Sequence, residues 1–275
     1  MRDGIDYLDP KMSSPTPIEQ ACYWLATCAQ PPAEPLCGEV ETDYVIVGAG
    51  LTGLWTALTL KQLAPDVEVA VVEQGVAAYG GSGRNAGILS ESVDHSHALA
   101  IQHFGEPEAR RLVKLGTQNV HGLYQDLVAW GIDCELERSG QLLVALTPAH
   151  LEYCARTVEL AARLGLATYS YLTAEELRAQ LHSPLYLGGV YVRSGGTLNP
   201  VKLVAGLVRE ARRRGVRLYE RSRVLAVKKT ATGALVQTAG GSVRARKVVL
   251  ATSAYTLSFC PACAAGLFLC TTTSW

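Results

Sequence analysis

Residues 45–57 read VIVGAGLTGLWTA, a run of apolar residues that meets three glycines and then turns amphipathic. With Asp43 and Tyr44 in front, DYVIVG has the continuous apolar character of a parallel strand buried on both faces. Leu51, Leu54, Leu58 and Leu63 then recur at near-helical spacing, which predicts a helix ending before Pro65. A second apolar run, VEVAVVE at 67–73, completes a strand–helix–strand unit, whose crossover should be right-handed. Within it Gly48, Gly50 and Gly53 spell G-x-G-x-x-G between strand and helix. Gly48 permits the tight turn, Gly50 lets backbone approach a pyrophosphate, and Gly53 lets helix and strand pack closely. Ala49, Leu51 and Thr52, between them, present main-chain amides at the positive end of the helix. Glu73, 20 residues after Gly53 (73 − 53), closes the second strand, where a carboxylate accepts ribose hydroxyls; Gln74 follows it. An acid here rather than an Arg disfavours a 2′-phosphorylated nucleotide, leaving FAD or NAD. The bland alternatives are a tight turn without ligand and, for Glu73, a solvated strand end.

Composition excludes other classes. The chain has 275 residues, 48% hydrophobic and 18% charged, which fits a globular protein with one or two cores. Lys plus Arg is 25 and Asp plus Glu is 25, so no overall basic field gathers nucleic acid or anionic membrane. No stretch reaches the roughly 18 apolar residues of a spanning helix, and the first residues lack a signal-peptide pattern, so the protein is expected in the cytoplasm. Eight cysteines are expected to be thiols, mostly packing residues. Cys260 and Cys263 form CPAC, with Cys270 nearby, but a tetrahedral site needs four ligands and no second pair accompanies them. No metal is expected.

Further along, residues 106–130 carry a helical stripe of Leu112, Leu115, Val120, Leu123 and Leu127. GQLLVALT at 140–147 predicts a strand, and Pro148 opens a helix that runs to about Leu164. TAEELRAQL, 173–181, starts with a capping box. A strand follows at 188–192, and a helix at 199–215 with Asn199 as cap, Pro200 first and Gly215 at its end. Strands are expected at 216–220, 223–228, 234–238, 242–246 and 247–251. The basic REARRRG reads as a solvated helix face, and one short helix is expected near Pro17 to Cys28.

A second motif, YGGSGRNAGILS at 79–90, chooses between the nucleotides. Its glycines, Gly83 among them, free the backbone, Ser82 and Asn85 supply hydrogen bonds, and Arg84 adds positive charge beside phosphates. Here the sequence resembles the FAD-dependent amine and amino-acid oxidase family over about residues 20–256, and the leader from Tyr23 is most similar to the branch acting on putrescine derivatives. The resemblance implies an α/β fold: a Rossmann-like FAD-binding domain of the glutathione-reductase type with part of an α+β substrate domain. It implies FAD, with residues 80–87 running beside the pyrophosphate and the isoalloxazine ring, Val224 offering backbone to adenine, and the Ala251-Thr252 turn passing the phosphates. Val224 reads equally as a core strand residue.

The resemblance further implies oxidation of the C–N bond of a small amine or amino acid by hydride transfer to flavin, in which positioning suffices and no catalytic residue is named. His95 and His97, after the flavin loop, read as an ordinary loop pair rather than a covalent flavin attachment. The implied division is a leader at 1–42, the FAD-binding domain at 43–135 and 196–256, a partial substrate domain at 136–195, and an atypical tail at 257–275. The family continues beyond ATSAY, so the chain reads as C-terminally truncated, with an incomplete pocket and apolar surface exposed. A catalytically incompetent FAD-binding remnant is the competing class; an NAD-linked dehydrogenase is disfavoured by the 80–87 loop.

Overall fold

A computed structural model of the protein describes residues 22–28, 33–92 and 96–258. Helix α1 (Tyr23–Thr27) precedes strand β1 (Gly38–Val47), which passes through the glycine turn into α2 (Leu51–Leu63) and β2 (Val69–Val72). A two-residue strand, β3 (Ile88–Leu89), leads to the long α3 (His97–Ala129). The next unit comprises β4 (Gln141–Ala145), α4 (Pro148–Leu164), β5 (Tyr169–Thr173), α5 (Ala174–Gln180) and β6 (Gly188–Val192). The chain returns through β7 (Gly196–Thr197), α6 (Pro200–Arg213), β8 (Arg217–Tyr219), β9 (Val224–Lys229), β10 (Ala234–Thr238) and β11 (Gly241–Leu250).

A six-stranded sheet of order β8-β2-β1-β11-β10-β9 organises the molecule. β1 pairs in parallel with β2 and β11, and β2 with β8, while β10 runs antiparallel to both neighbours. The period-two geometry of a strand explains its continuous apolar sequence. Ile46, Val69 and Val71 face α2 and α6, packing with Leu54, Leu58 and Leu207. Val45, Val47, Ala70 and Val72 face the other way, into a cluster with Leu36, Val224, Val236 and Val243. In register, Val47 stands between Val72 and Leu250, so the carboxyl ends of β1, β2 and β11 open onto one crevice. Ligands of open α/β sheets bind at such an edge. A separate antiparallel sheet, β4-β6-β5, carries α4 on one face, with Ala145, Cys154 and Val190 buried between them.

Most expected elements form, including the Thr173–Glu176 capping box and the Asn199 cap, whose side chain accepts from Val201 and Lys202. Several expectations need correction. Residues 242–246 and 247–251 are one strand, β11, because β1 pairs with it continuously from Gly38 to Val47. That pairing also draws residues 38–42, at the end of the leader, into the sheet. Leu63 is 80% exposed, since it falls off the face that buries Leu54, Ala57 and Leu58. On α3 the buried stripe is Ala109, Val113, Gly116, Val120 and Leu127, with Leu115 exposed on the neighbouring face. α3 is interrupted at Gly105, whose φ of 78° is non-helical just before Pro107, so the part from 106 is the expected helix and the part from His97 is an unexpected addition. β5 was not expected at all. Of the leader helix only Tyr23–Thr27 is seen; residues 17–21 lie outside the described residues, as do His95 and the CPAC cysteines.

Among the described residues no helix is long and apolar enough to cross a membrane, and no cluster of His, Cys, Asp and Glu could hold a metal ion. Burial pushes the Cys134 thiol up to about 11 and raises that of Cys154, so both remain protonated packing residues.

Candidate cofactor site

The three glycines of the first turn do three separate jobs. Gly48 holds a φ of 107°, and a Cβ there would lie 2.6 Å from the Ala251 carbonyl oxygen. At Gly53 an added Cβ would meet the Gly48 carbonyl oxygen at 2.0 Å, so this residue fixes how closely α2 approaches β1. Gly50 has ordinary φ, and its missing Cβ leaves room for Ser82 Oγ, which would otherwise lie 2.7 Å away. Ser82 Oγ uses that space to accept from the Leu51 N–H at 2.9 Å. The 79–85 loop is thereby fastened to the start of α2.

Glu73 stands beside the same turn. Its Oε2 accepts from the Ala49 N–H at 2.9 Å and its Oε1 from the Gly75 N–H at 3.0 Å. Its own backbone is fixed by Tyr219 and Ser222 across the β2–β8 edge. A carboxylate has about four acceptor positions, so two remain for donors in the crevice. The crevice is a cavity of about 370 Å³ whose charged lining residues are Glu73, Arg84 and Arg223. No acidic residue occupies the first turn of α2, and the positive end of that helix faces the cavity beside Glu73.

Of the residues singled out from sequence, Gly48, Gly50, Glu73, Gln74, Ser82, Arg84, Val224, Ala251 and Thr252 line this cavity together. The others surround it. Ala49 and Leu51 are turned to Glu73 and Ser82 through their amides. Thr52 is exposed, and its carbonyl accepts from Thr56 Oγ1. Gly83 is buried where a Cβ would lie 2.2 Å from the Ala78 carbonyl oxygen. Asn85 works on its own loop, donating to the Gly81 and Ser82 carbonyls and accepting from the Gly87 N–H. Arg84 donates to the Tyr79 carbonyl at 2.7 Å and lies over the Tyr79 ring. Tyr79, Arg223 and Tyr255 also line the cavity and were missed from sequence. For Arg223 the available signal was a cation immediately before the strand at Val224.

A larger cavity, about 740 Å³, lies between the start of α3, α4 and the antiparallel sheet. It holds none of the residues of the glycine turn. His97 lines it, buried, with Nε2 3.2 Å from Tyr169 Oη and its pKa lowered by burial against an opposing pull from Glu91. The expected loop position of His97 is corrected to the first residue of α3. It does not line the cavity at the glycine turn.

A central parallel strand ending in a backbone cradle, with a carboxylate hydrogen-bonded to the turn, defines a dinucleotide-binding α/β protein. The chain belongs to the FAD dependent oxidoreductase family, whose profile matches residues 43–268 and so takes in the first twelve residues of the tail expected to be atypical. It is 32% identical over 224 residues to gamma-glutamylputrescine oxidoreductase of Escherichia coli K12, covering 82% of this chain and 52% of that protein. It is 26% identical over 200 residues to L-2-hydroxyglutarate dehydrogenase of the same strain, covering 72% of this chain and 44% of that one. The chain spans about half the length of the curated relatives it matches. Among solved structures, glycine oxidase from Geobacillus kaustophilus shares the fold with a TM-score of 0.71 at 23% identity, over 81% of this chain and 58% of that one.

The residues present fit the family's cofactor. The Gly48 backbone has no room for a Cβ, Gly50 has room only if Ser82 moves, and the cavity beside them offers a helix N-terminus, two cations and a carboxylate with acceptor capacity to spare.

Proposed function

We propose that the chain forms the FAD-binding part, with some of the substrate domain, of an oxidoreductase that oxidises the C–N bond of a small amine or amino acid. The single observation that carries this is the pairing of the glycine cradle with Glu73, which holds the Ala49 amide at 2.9 Å while lining the cavity. When bound, FAD supplies a two-electron acceptor for hydride from the carbon that bears the nitrogen. Gly48, Gly50, Thr52 and Gly53 bring backbone and the positive end of α2 to its diphosphate. Ala49 and Leu51 act by seating Glu73 and Ser82. Glu73 and Gln74 take the ribose, Val224 the adenine, and Ala251 and Thr252 close the far side. Arg84 adds charge, while Gly83 and Asn85 shape the loop that carries it.

The division into 43–135 and 196–256 for the cofactor and 136–195 for the substrate belongs to this proposal. It is supported by β1 and β2 sharing a sheet with β8 to β11 while β4, β5 and β6 form their own. A small amine rather than a 2-hydroxy acid is favoured by the higher identity to the putrescine-derivative enzyme than to the hydroxyglutarate enzyme. A cytoplasmic placement is part of the same proposal.

The test is anaerobic mixing of the flavin-loaded protein with γ-glutamylated diamines, glycine, other amino acids and 2-hydroxy acids, followed by absorbance. Bleaching of the oxidised flavin band by an amine is expected. Flavin that binds but stays oxidised with every amine favours the binding remnant, and bleaching by a 2-hydroxy acid alone overturns the C–N assignment.

A further inference from the structure

The segment before β1 reaches the cofactor site at separate points. Trp24 Nε1 donates to the Asn85 carbonyl at 2.9 Å, and Cys22 Sγ donates to the Gly83 carbonyl at 3.3 Å. Both carbonyls belong to the loop that Ser82 fastens to α2. Thr27 Oγ1 accepts from Asn199 Nδ2, the side chain that caps α6. Further on, Ala33 and Ala77 donate their backbone N–H groups to the two oxygens of Glu220, which is 5% exposed; the Ala77 bond is 2.6 Å. Leu36 N–H donates to Ser222 Oγ at 2.7 Å, and Ser222 N–H to the Glu73 carbonyl at 2.8 Å.

These bonds join stretches far apart in sequence, and all but the Thr27 contact end on the 73–85 or 219–224 segments that line the cavity. We infer that residues 22–28 and 33–36 are a strap that presets the cofactor loops, with Trp24 and Glu220 as its positioning residues. Trp24 braces the 79–85 loop at Asn85, three residues past the Ser82 fastening. Glu220 ties the strap to the turn that follows Glu73, so strap docking and nucleotide retention are coupled. Neither side chain lines the cavity; each acts through the backbone of a segment that does. The inference rests on the FAD reading for its ligand.

The experiment compares the full chain with Trp24→Phe, which keeps the ring and removes the donor, and with Glu220→Gln, which keeps the shape and replaces one acceptor. FAD dissociation is followed by recovery of flavin fluorescence after dilution, alongside melting of the apoprotein and hydrogen exchange at Ala33, Leu36 and Ala77. Trp24→Phe is expected to speed release about five-fold, the worth of one hydrogen bond, with the apoprotein melting temperature lowered by no more than a few degrees. Glu220→Gln is expected to raise exchange at Ala33 and Ala77 together and to speed release as well. Release rates equal to wild type in both variants overturn the strap. If the wild-type chain takes up no FAD, the cofactor reading fails instead; joint acceleration of Ala33 and Ala77 then upholds the Glu220 tie, and independent exchange overturns it.

Discussion

Glu210 is a carboxylate only 5% exposed on α6, held by Arg213 at 2.7 Å and by Arg214 at 2.7 Å. The hydrogen bond from Arg213 is the largest cause that holds its carboxyl at about 2 rather than in the usual carboxylate range; burial opposes it. A depressed native value means that the folded state favours the ionised group. Its contribution is therefore whole above the unfolded carboxylate value, near 4.5, and drains away as pH falls towards 2. Glu210→Gln should cost about 2 kcal/mol at pH 7, allowing for screening at the exposed Arg213, with the difference from wild type closing between pH 4.5 and 2. Denaturant melts at both ends of that window measure it, and a pH-independent difference contradicts it. At this scale the sequence shows best what the backbone demands. Gly48 and Gly53 are legible because a side chain there would run into backbone, and Gly50 because its bare Cα makes room for Ser82. Tyr79, Arg223 and Glu220 are not, because an ordinary loop tyrosine, arginine or glutamate acquires its place only when β8 pairs with β2.

Helix α6 sets two effects against each other. Alanine is a better helix former than glycine by about 1 kcal/mol, which favours Gly206→Ala. An added Cβ would, however, lie 2.3 Å from Ile132 Cγ2 and 3.1 Å from its Cβ, and a buried β-branched side chain cannot swing aside. Overpacking of this kind costs about 1–3 kcal/mol, so Gly206→Ala should lower stability rather than raise it, as thermal or urea unfolding will show. A stabilised variant would mean that α6 and Ile132 part more easily than their packing implies. The helix itself was readable end to end, since its cap, its first proline and its closing Gly215 are local signals. β5 was unreadable for the opposite reason: Tyr169–Thr173 has no apolar alternation, and its strand exists through pairing with β6. The break in α3 falls at Gly105, two residues before Pro107, where the expected helix begins.

Across the whole molecule, β1 and β2 from the first part of the chain and β8 to β11 from the last form one sheet, and its crevice gathers residues from Gly48 to Thr252. The first strand–helix–strand unit was legible because it is contiguous; the closing of the sheet by β11 against β1 depends on contacts some 200 residues apart and leaves little trace in any short window. The central claim is that this crevice grips the diphosphate of FAD through main-chain groups. Equilibrium titration with FAD, followed by flavin fluorescence on the chain and on Gly50→Ala, tests it most directly. Gly50 has an ordinary φ, so alanine should fold there while displacing Ser82 from Leu51. Saturable binding of one FAD per chain is expected, weakened on the order of tenfold in Gly50→Ala by the loss of one or two hydrogen bonds of about 1 kcal/mol each. Absence of binding to the wild-type chain, or equal affinity in the variant, would contradict it.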